Sequence, residues 1–164
     1  YNSALMEATG YTFKEIVQLL IDNGAAIEKG SSYVLKAYNP VLAACTRNAK
    51  DALEVLIKNG ASLDVKSKDG ITPLIFAAAN NAVDVMKYLL AVNPKLDIDA
   101  SSNSTYNALL YAASSGSKEA VEFLLSKGAD IGYEDKNGKT ALMIAMSKSK
   151  KDVVEILKKN GAKK

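Results

Sequence analysis

The chain contains no histidine. That removes the usual general base, the usual charge switch near neutral pH and the commonest metal ligand. It contains one cysteine, Cys45, so no disulfide can close within the chain and no cysteine-rich metal site can form. No apolar run approaches the length of a membrane span, because Gly, Pro and charged residues interrupt every candidate. The sequence begins at Tyr1 rather than Met, so a leader, if one exists, is not visible. The compartment stays open: cytoplasm is the default, and export is compatible with a single buried thiol. What is present is an ordered, soluble composition, 48% hydrophobic and 24% charged over 164 residues, enough for one domain with a real core. The net charge of +3 is uneven, with lysines crowding the stretch after Glu134. Acids interrupt that stretch, so it reads as a solvated surface ahead of a nucleic-acid patch.

The chain repeats itself. Residues suited to capping a helix N-terminus stand at Ser3, Asn39, Thr72, Asn107 and Thr140, spaced by 36, 33, 35 and 33. Ala4, Pro40, Pro73, Ala108 and Ala141 follow them, and Pro fits the first helical position because its missing N–H is not needed there. Five places beyond each anchor stands an alanine: Ala8, Ala44, Ala77, Ala112 and Ala145. A small residue at that fixed place predicts helices packed closely side by side. A second helix follows in each unit, with apolar residues at helical spacing such as Val17 and Leu20, Leu53 and Leu56, or Val121 and Leu124. Gly24, Gly60, Gly128 and Gly161 are placed to stop four of these helices in the left-handed conformation. In the third unit Asn93-Pro94 takes that place, and Asn93 is expected to be left-handed there. Asp69-Gly70 and Asn137-Gly138 read as turns ahead of the first helix.

These units resemble ankyrin repeats. The resemblance rests on Lys68-Asp69-Gly70-Ile71-Thr72-Pro73-Leu74, on Gly128-Ala129-Asp130-Ile131 and on Asp135-Lys136-Asn137-Gly138-Lys139-Thr140-Ala141-Leu142, and it runs from Ser3 to Ala162. It implies an all-α solenoid of stacked helix–turn–helix units joined by hairpin-like turns. The expectation is one domain over 1–164, with repeats at 1–30, 31–65, 66–99, 100–133 and 134–164. The chain departs from the family where a histidine usually follows the Pro by two places; Met6, Leu42, Ile75, Leu110 and Met143 stand there. Two connections are long, Glu28 to Tyr38 and Asn93 to Tyr106, and are expected to project. The first and last units resemble capping repeats, which must show a polar face: Glu7 and Thr9 replace Phe76 and Ala78 of the third unit, and Lys158 replaces an apolar residue.

Catalytic and metal chemistry find no constellation. Cys45 aligns with Ala78 and Ala113, so it reads as a packing thiol, with no histidine to activate it. Gly24 and Gly30 do not have phosphate-loop spacing, and Ser31 stands where Lys is required. Asp97 to Asn103 has alternating oxygen ligands but lacks the central Gly and closing Glu of a calcium loop. Asn103-Ser104-Thr105 fits a glycosylation acceptor, which matters only in a secreted eukaryotic protein. The acids Asp51, Glu54, Glu119 and Glu122 read as surface charges on second helices. The chain is therefore expected to be non-enzymatic, with no cofactor, no metal and no membrane span.

The resemblance places partner binding on the concave side, made of turn tips and exposed ends of first helices. In this sequence those positions are Tyr11, Tyr38, Arg47, Lys68, Asp69, Ile71, Asn80, Tyr106, Ser115, Lys136, Asn137 and Lys148. Tyr and Arg are enriched in binding hot spots, and Tyr33 stands close by in sequence. Tyr111, Tyr88 and Phe76 are expected in the core. A modest cationic bias from Lys36, Arg47, Lys68, Lys139 and Lys148 points to a protein or peptide partner with acidic character, bound by a monomer. An interaction domain within a longer protein, whose activity lies elsewhere, is the alternative. Nucleic-acid binding is the weakest reading, because the lysines are spread over turns and outer helices.

Overall fold

The computed structural model describes residues 4–11, 13–27 and 39–163. The Ser3 cap, the long connection from Glu28 to Tyr38, and with it Gly30, Tyr33, Lys36 and Tyr38, lie outside the described residues. Among these there are ten α-helices and no strand. They are α1 (Ala4–Gly10), α2 (Lys14–Asp22), α3 (Pro40–Thr46), α4 (Lys50–Lys58), α5 (Pro73–Ala79), α6 (Val83–Val92), α7 (Ala108–Ser115), α8 (Lys118–Ser126), α9 (Ala141–Ser147) and α10 (Lys151–Lys159). Odd and even helices pair within each repeat. The odd helices touch in succession, α1 on α3 through to α7 on α9, and the even helices form a second layer outside them. The result is an all-α solenoid of stacked helix pairs.

Local chemistry sets the helix ends. Asn39, Thr72, Asn107 and Thr140 have extended backbones, and their side-chain oxygens accept from the amides of Leu42, Ile75, Leu110 and Met143 at 2.9, 3.3, 3.0 and 3.4 Å. Each bond satisfies an amide that the helix itself leaves open. Gly24, Gly60, Gly128 and Gly161 stop the outer helices at φ 83, 91, 86 and 90°. Asn93 departs from the left-handed expectation, with φ −132° and ψ 81°. The ring of Pro94 crowds the residue before it and drives it toward extended backbone. Ala8, Ala44, Ala77, Ala112 and Ala145 are all buried, which lets neighbouring inner helices approach.

Two of the outer helices, α6 and α8, are capped from the preceding repeat. Ala82 and Ser117, which precede α6 and α8, provide no side-chain cap of their own. Asn48, from the repeat before, accepts from Val85 N–H at 3.1 Å and donates to Asp84. Asn81 accepts from Ala120 N–H at 2.9 Å and donates to Glu119. Both asparagines are left-handed, at φ 53° and 57°. Their amides therefore stitch successive repeats together as well as finishing a helix.

The positions read as polar in the first and fifth repeats are mixed. Glu7 and Lys158 stand in solvent. Thr9 does not: it is buried, and its hydroxyl donates to the Leu5 carbonyl at 2.6 Å, so it behaves as a small core residue. Phe76, Tyr88 and Tyr111 are half-buried and packed against the core as expected.

Candidate partner-binding surface

The turns ahead of α5, α7 and α9 share one construction. A buried Ser67, Ser102 or Asp135 opens each turn. Its amide donates to the carbonyl four residues on, of Ile71, Tyr106 and Lys139 respectively. Its own carbonyl accepts from Gly70, Thr105 or Gly138. Ser67 Oγ also accepts from the amides of Asp69 and Ile71. The Asp135 carboxylate does the same for Asn137 and Lys139, at 2.8 and 2.9 Å. The Lys139 amide, foremost among these donors, holds its carboxyl below the usual range. Gly70 and Gly138 sit at φ 72°, and Thr105 takes the equivalent place at φ 65°. A β-branched residue is strained there. Its hydroxyl accepts from Lys136 N–H at 2.8 Å and its carbonyl accepts from Tyr133 O–H at 3.2 Å, so its neighbours hold it in place.

These turns join one another. Asn103 N–H donates to the Asp69 carbonyl at 2.9 Å, and its side-chain amide donates to the Lys68 carbonyl at 3.0 Å. A Cβ on Gly70 would fall within 2.4 Å of Asn103 Oδ1, so glycine lets the turns meet. Thr105 continues the join to Lys136. Lys68, Asp69, Asn103 and Lys136 thus lie along one hydrogen-bonded strip. The glycosylation-type triplet has its Asn103 amide engaged in that strip.

The proposed contact residues differ in freedom. Tyr11, Arg47, Lys68, Asp69, Asn80, Ser115, Lys136, Asn137 and Lys148 are exposed, Ile71 and Tyr106 are half-buried, and Tyr38 is outside the described residues. Tyr11 and Arg47 come together across the first junction, with the guanidinium 5.1 Å from the ring centroid. Phe13 also stacks on Tyr11, with ring centroids 6.2 Å apart. Tyr106 instead lies edge-on to Tyr111 at 5.4 Å and packs against the core. Tyr106 is three repeats along the stack from Tyr11. The Asn80 amide closes α5 by donating to Phe76 O at 2.9 Å, and Asn137 is held within its own turn by Asp135.

Residues weighed for chemistry have structural partners. Cys45 is fully buried, and desolvation pushes its thiol far above the ordinary range. Asp97 accepts from the Asp99 amide, and Asp99 accepts from Asp130 N–H and Asn107. Burial raises the Asp99 pKa more than these bonds lower it. Glu54 pairs with Lys50 at 3.2 Å. Among the described residues no cluster of three metal-ligating side chains forms, and no helix is long and apolar enough to cross a membrane. Sequence reasoning passed over Asn48 and Asn81. Their signal was an asparagine nine places beyond the repeat anchor in two successive units.

A stack of short helix pairs with a ladder of joined turns along one side defines a repeat solenoid. The chain belongs to the ankyrin-repeat family: a family model described as ankyrin repeats in three copies matches residues 5–102, 41–135 and 95–164. Ankyrin repeats are generally protein–protein interaction modules. A comparison with the curated proteins found no match.

Proposed function

We propose that this chain, acting as one five-repeat domain over 1–164, binds a protein or peptide along the strip of turn tips and inner-helix ends. The observation that carries the reading is the Tyr11–Arg47 pair. A large aromatic residue and a guanidinium are held together at 5.1 Å while both stay exposed. Such a pair offers contact area and charge-assisted hydrogen bonds with little further ordering. Lys68, Lys136 and Lys148 extend the cationic character along the strip, which favours a partner bearing carboxylates. No catalytic step is assigned. The test is affinity capture from the native source with the wild type, Arg47→Ala and Tyr11→Ala, read by quantitative mass spectrometry. A partner recovered by the wild type should fall about tenfold or more with either variant, the scale of one hot-spot residue. Equal recovery by all three would overturn the assignment. If recovery is lost instead on deleting segments outside 1–164 of a longer gene product, the module reading passes to those segments.

A further inference from the structure

The outward side of each second helix is polar in most repeats, and the third repeat breaks that pattern. Fifteen places beyond the inner-helix anchor, the second, fourth and fifth repeats carry Glu54, Glu122 and Glu155, whereas the third carries Lys87. Nineteen and twenty places on, they carry Lys58-Asn59, Ser126-Lys127 and Lys159-Asn160, whereas the third carries Ala91-Val92. Both of these apolar residues are exposed, Val92 to 43%. Asn93-Pro94 then stands where the other three repeats have Gly60, Gly128 and Gly161. Lys87 and Ala91 are four residues apart on α6, so the change of charge and the loss of polarity fall on one face.

That face lines a groove of about 550 Å³ between α6, α8 and the connection that follows α6. Leu90, Leu96, Ile98 and Phe123 line it as half-buried residues, and Ala91 and Pro94 as exposed ones. Its charged lining residues are Lys87 from α6 and Lys127 from the end of α8, with no carboxylate among them. The Lys127 ammonium lies 5.7 Å from the centroid of the Phe123 ring, which holds a cation beside the apolar lining. Lys87 has Asp84 at 3.8 Å, but both side chains are exposed, so a partner carboxylate can replace that pair at little cost. The groove lies open to solvent. An alkyl chain laid in it would keep one side wet, whereas small-molecule pockets cover most of their ligand. A peptide has only to bury its apolar side chains and can leave its polar face in water. Charge and openness together favour an acidic peptide over a fatty acid.

We propose that this groove docks a short peptide segment of a partner protein in which large apolar side chains are flanked by Asp or Glu. The apolar side chains pack on Leu90, Leu96 and Phe123, and the flanking carboxylates meet Lys87 and Lys127. The site belongs to the outer helix layer and stands independently of the concave strip.

The test is selection from a displayed library of random peptides about 12 residues long, enough for about three turns of helix. The library is first depleted on a variant carrying Lys87→Glu and Ala91→Gln together, then selected on the wild-type chain. The repeat pattern tolerates both changes, since the second, fourth and fifth repeats carry Glu at the first place and polar residues at the second. Circular dichroism checks that helix content is kept. The surviving peptides should carry large apolar residues flanked by Asp or Glu. Their synthetic copies, followed by fluorescence anisotropy, should bind Lys87→Glu and Ala91→Gln each about tenfold more weakly than the wild type. Added NaCl should weaken binding to the wild type more steeply than to Lys87→Glu. Arg47→Ala should leave binding unchanged, which separates this groove from the turn strip. A selection that leaves no peptide after depletion overturns the proposal, as do survivors that are basic or free of acids. Loss of binding with Arg47→Ala overturns it as well. So does decanoate that displaces a labelled peptide as well as the unlabelled peptide does, which would make the groove a lipid site.

Discussion

Replacing Asn81 tests the junctions directly. Its side chain accepts from Ala120 N–H at 2.9 Å and donates to the Glu119 carboxylate, while its backbone sits at φ 57°. Asn81→Ala removes an N-terminal cap, about 1 kcal/mol. It also places alanine in the left-handed region, which costs about 1 kcal/mol more. The sum is about 2 kcal/mol, or about 4–8 °C in Tm for a chain of this size. Asn81→Gly loses the same cap but accepts the backbone, so about 1 kcal/mol is expected. The order wild type, glycine, alanine is the signature, and urea unfolding followed by circular dichroism reads it. A second readout belongs to the hydrogen bond alone. The Asn81 amide, ahead of its other contacts, holds the Glu119 carboxyl below its ordinary value. Both variants should let that carboxyl titrate higher, as seen by NMR. An alanine variant no less stable than the glycine variant would refute the backbone half of the reasoning. A Glu119 titration that does not move would refute the cap.

Three further outcomes follow from the turns and the core. Thr105→Gly relieves a strained φ of 65° but loses the hydroxyl that receives Lys136 N–H, so the two effects offset and stability should change by less than about 1 kcal/mol; Thr105→Ala loses the hydroxyl and keeps the strain, and should be less stable than the glycine variant by about 1 kcal/mol in urea unfolding. Asp135 has a depressed folded-state pKa, so its contribution is present above its unfolded value of about 4 and is lost as pH falls through the folded value; the stability gap between wild type and Asp135→Asn should narrow between pH 7 and about pH 3, and a gap that stays constant would refute this. Cys45 is fully buried with its thiol pushed toward the neutral form, so labelling by a thiol reagent at about pH 8 should require opening of the stack and accelerate with urea; rapid labelling without denaturant would contradict the burial.

What could be read from the sequence was whatever each repeat states locally. Asn39, Thr72, Asn107 and Thr140 cap helices through atoms only three residues away, so spacing and residue type were enough. Gly60 and Gly128 announce their φ by lacking a side chain. Asn93 misled because the conformational preference of one residue was judged without the ring that follows it; Pro94 decides the backbone there. Asn48 and Asn81 were silent for a different reason. An exposed asparagine after a helix reads as a loop residue until the chain returns 37 or 39 residues later with an uncapped helix start beside it. Tyr106 and Tyr11 belonged to one list of exposed aromatics, yet the fold lays Tyr106 on Tyr111 and leaves Tyr11 in solvent beneath Arg47. Which tyrosine packs and which stays available is set by the neighbour in the adjoining repeat or helix, and sequence spacing does not encode that neighbour.

The same argument separates the regular positions from the informative ones. A repeat stack must satisfy its own caps, turns and alanine contacts in every unit, so residues at those places carry the fold and little else. Thr105 breaks the glycine rule of its turn and Gly116 breaks the asparagine rule between helices. At Gly116 a Cβ would stand 2.8 Å from the Lys150 side chain, so the lysine that replaces Ala49 and Ala82 occupies room the missing side chain leaves. The last junction therefore exchanges an asparagine cap for the aliphatic stem of a lysine, whereas the junctions after the second and third repeats are stitched by amides. An asparagine contributes a directional bond across a junction and a lysine stem contributes contact without direction. Between the helices this junction is held by packing, while its turn keeps the Lys136–Thr105 hydrogen bond.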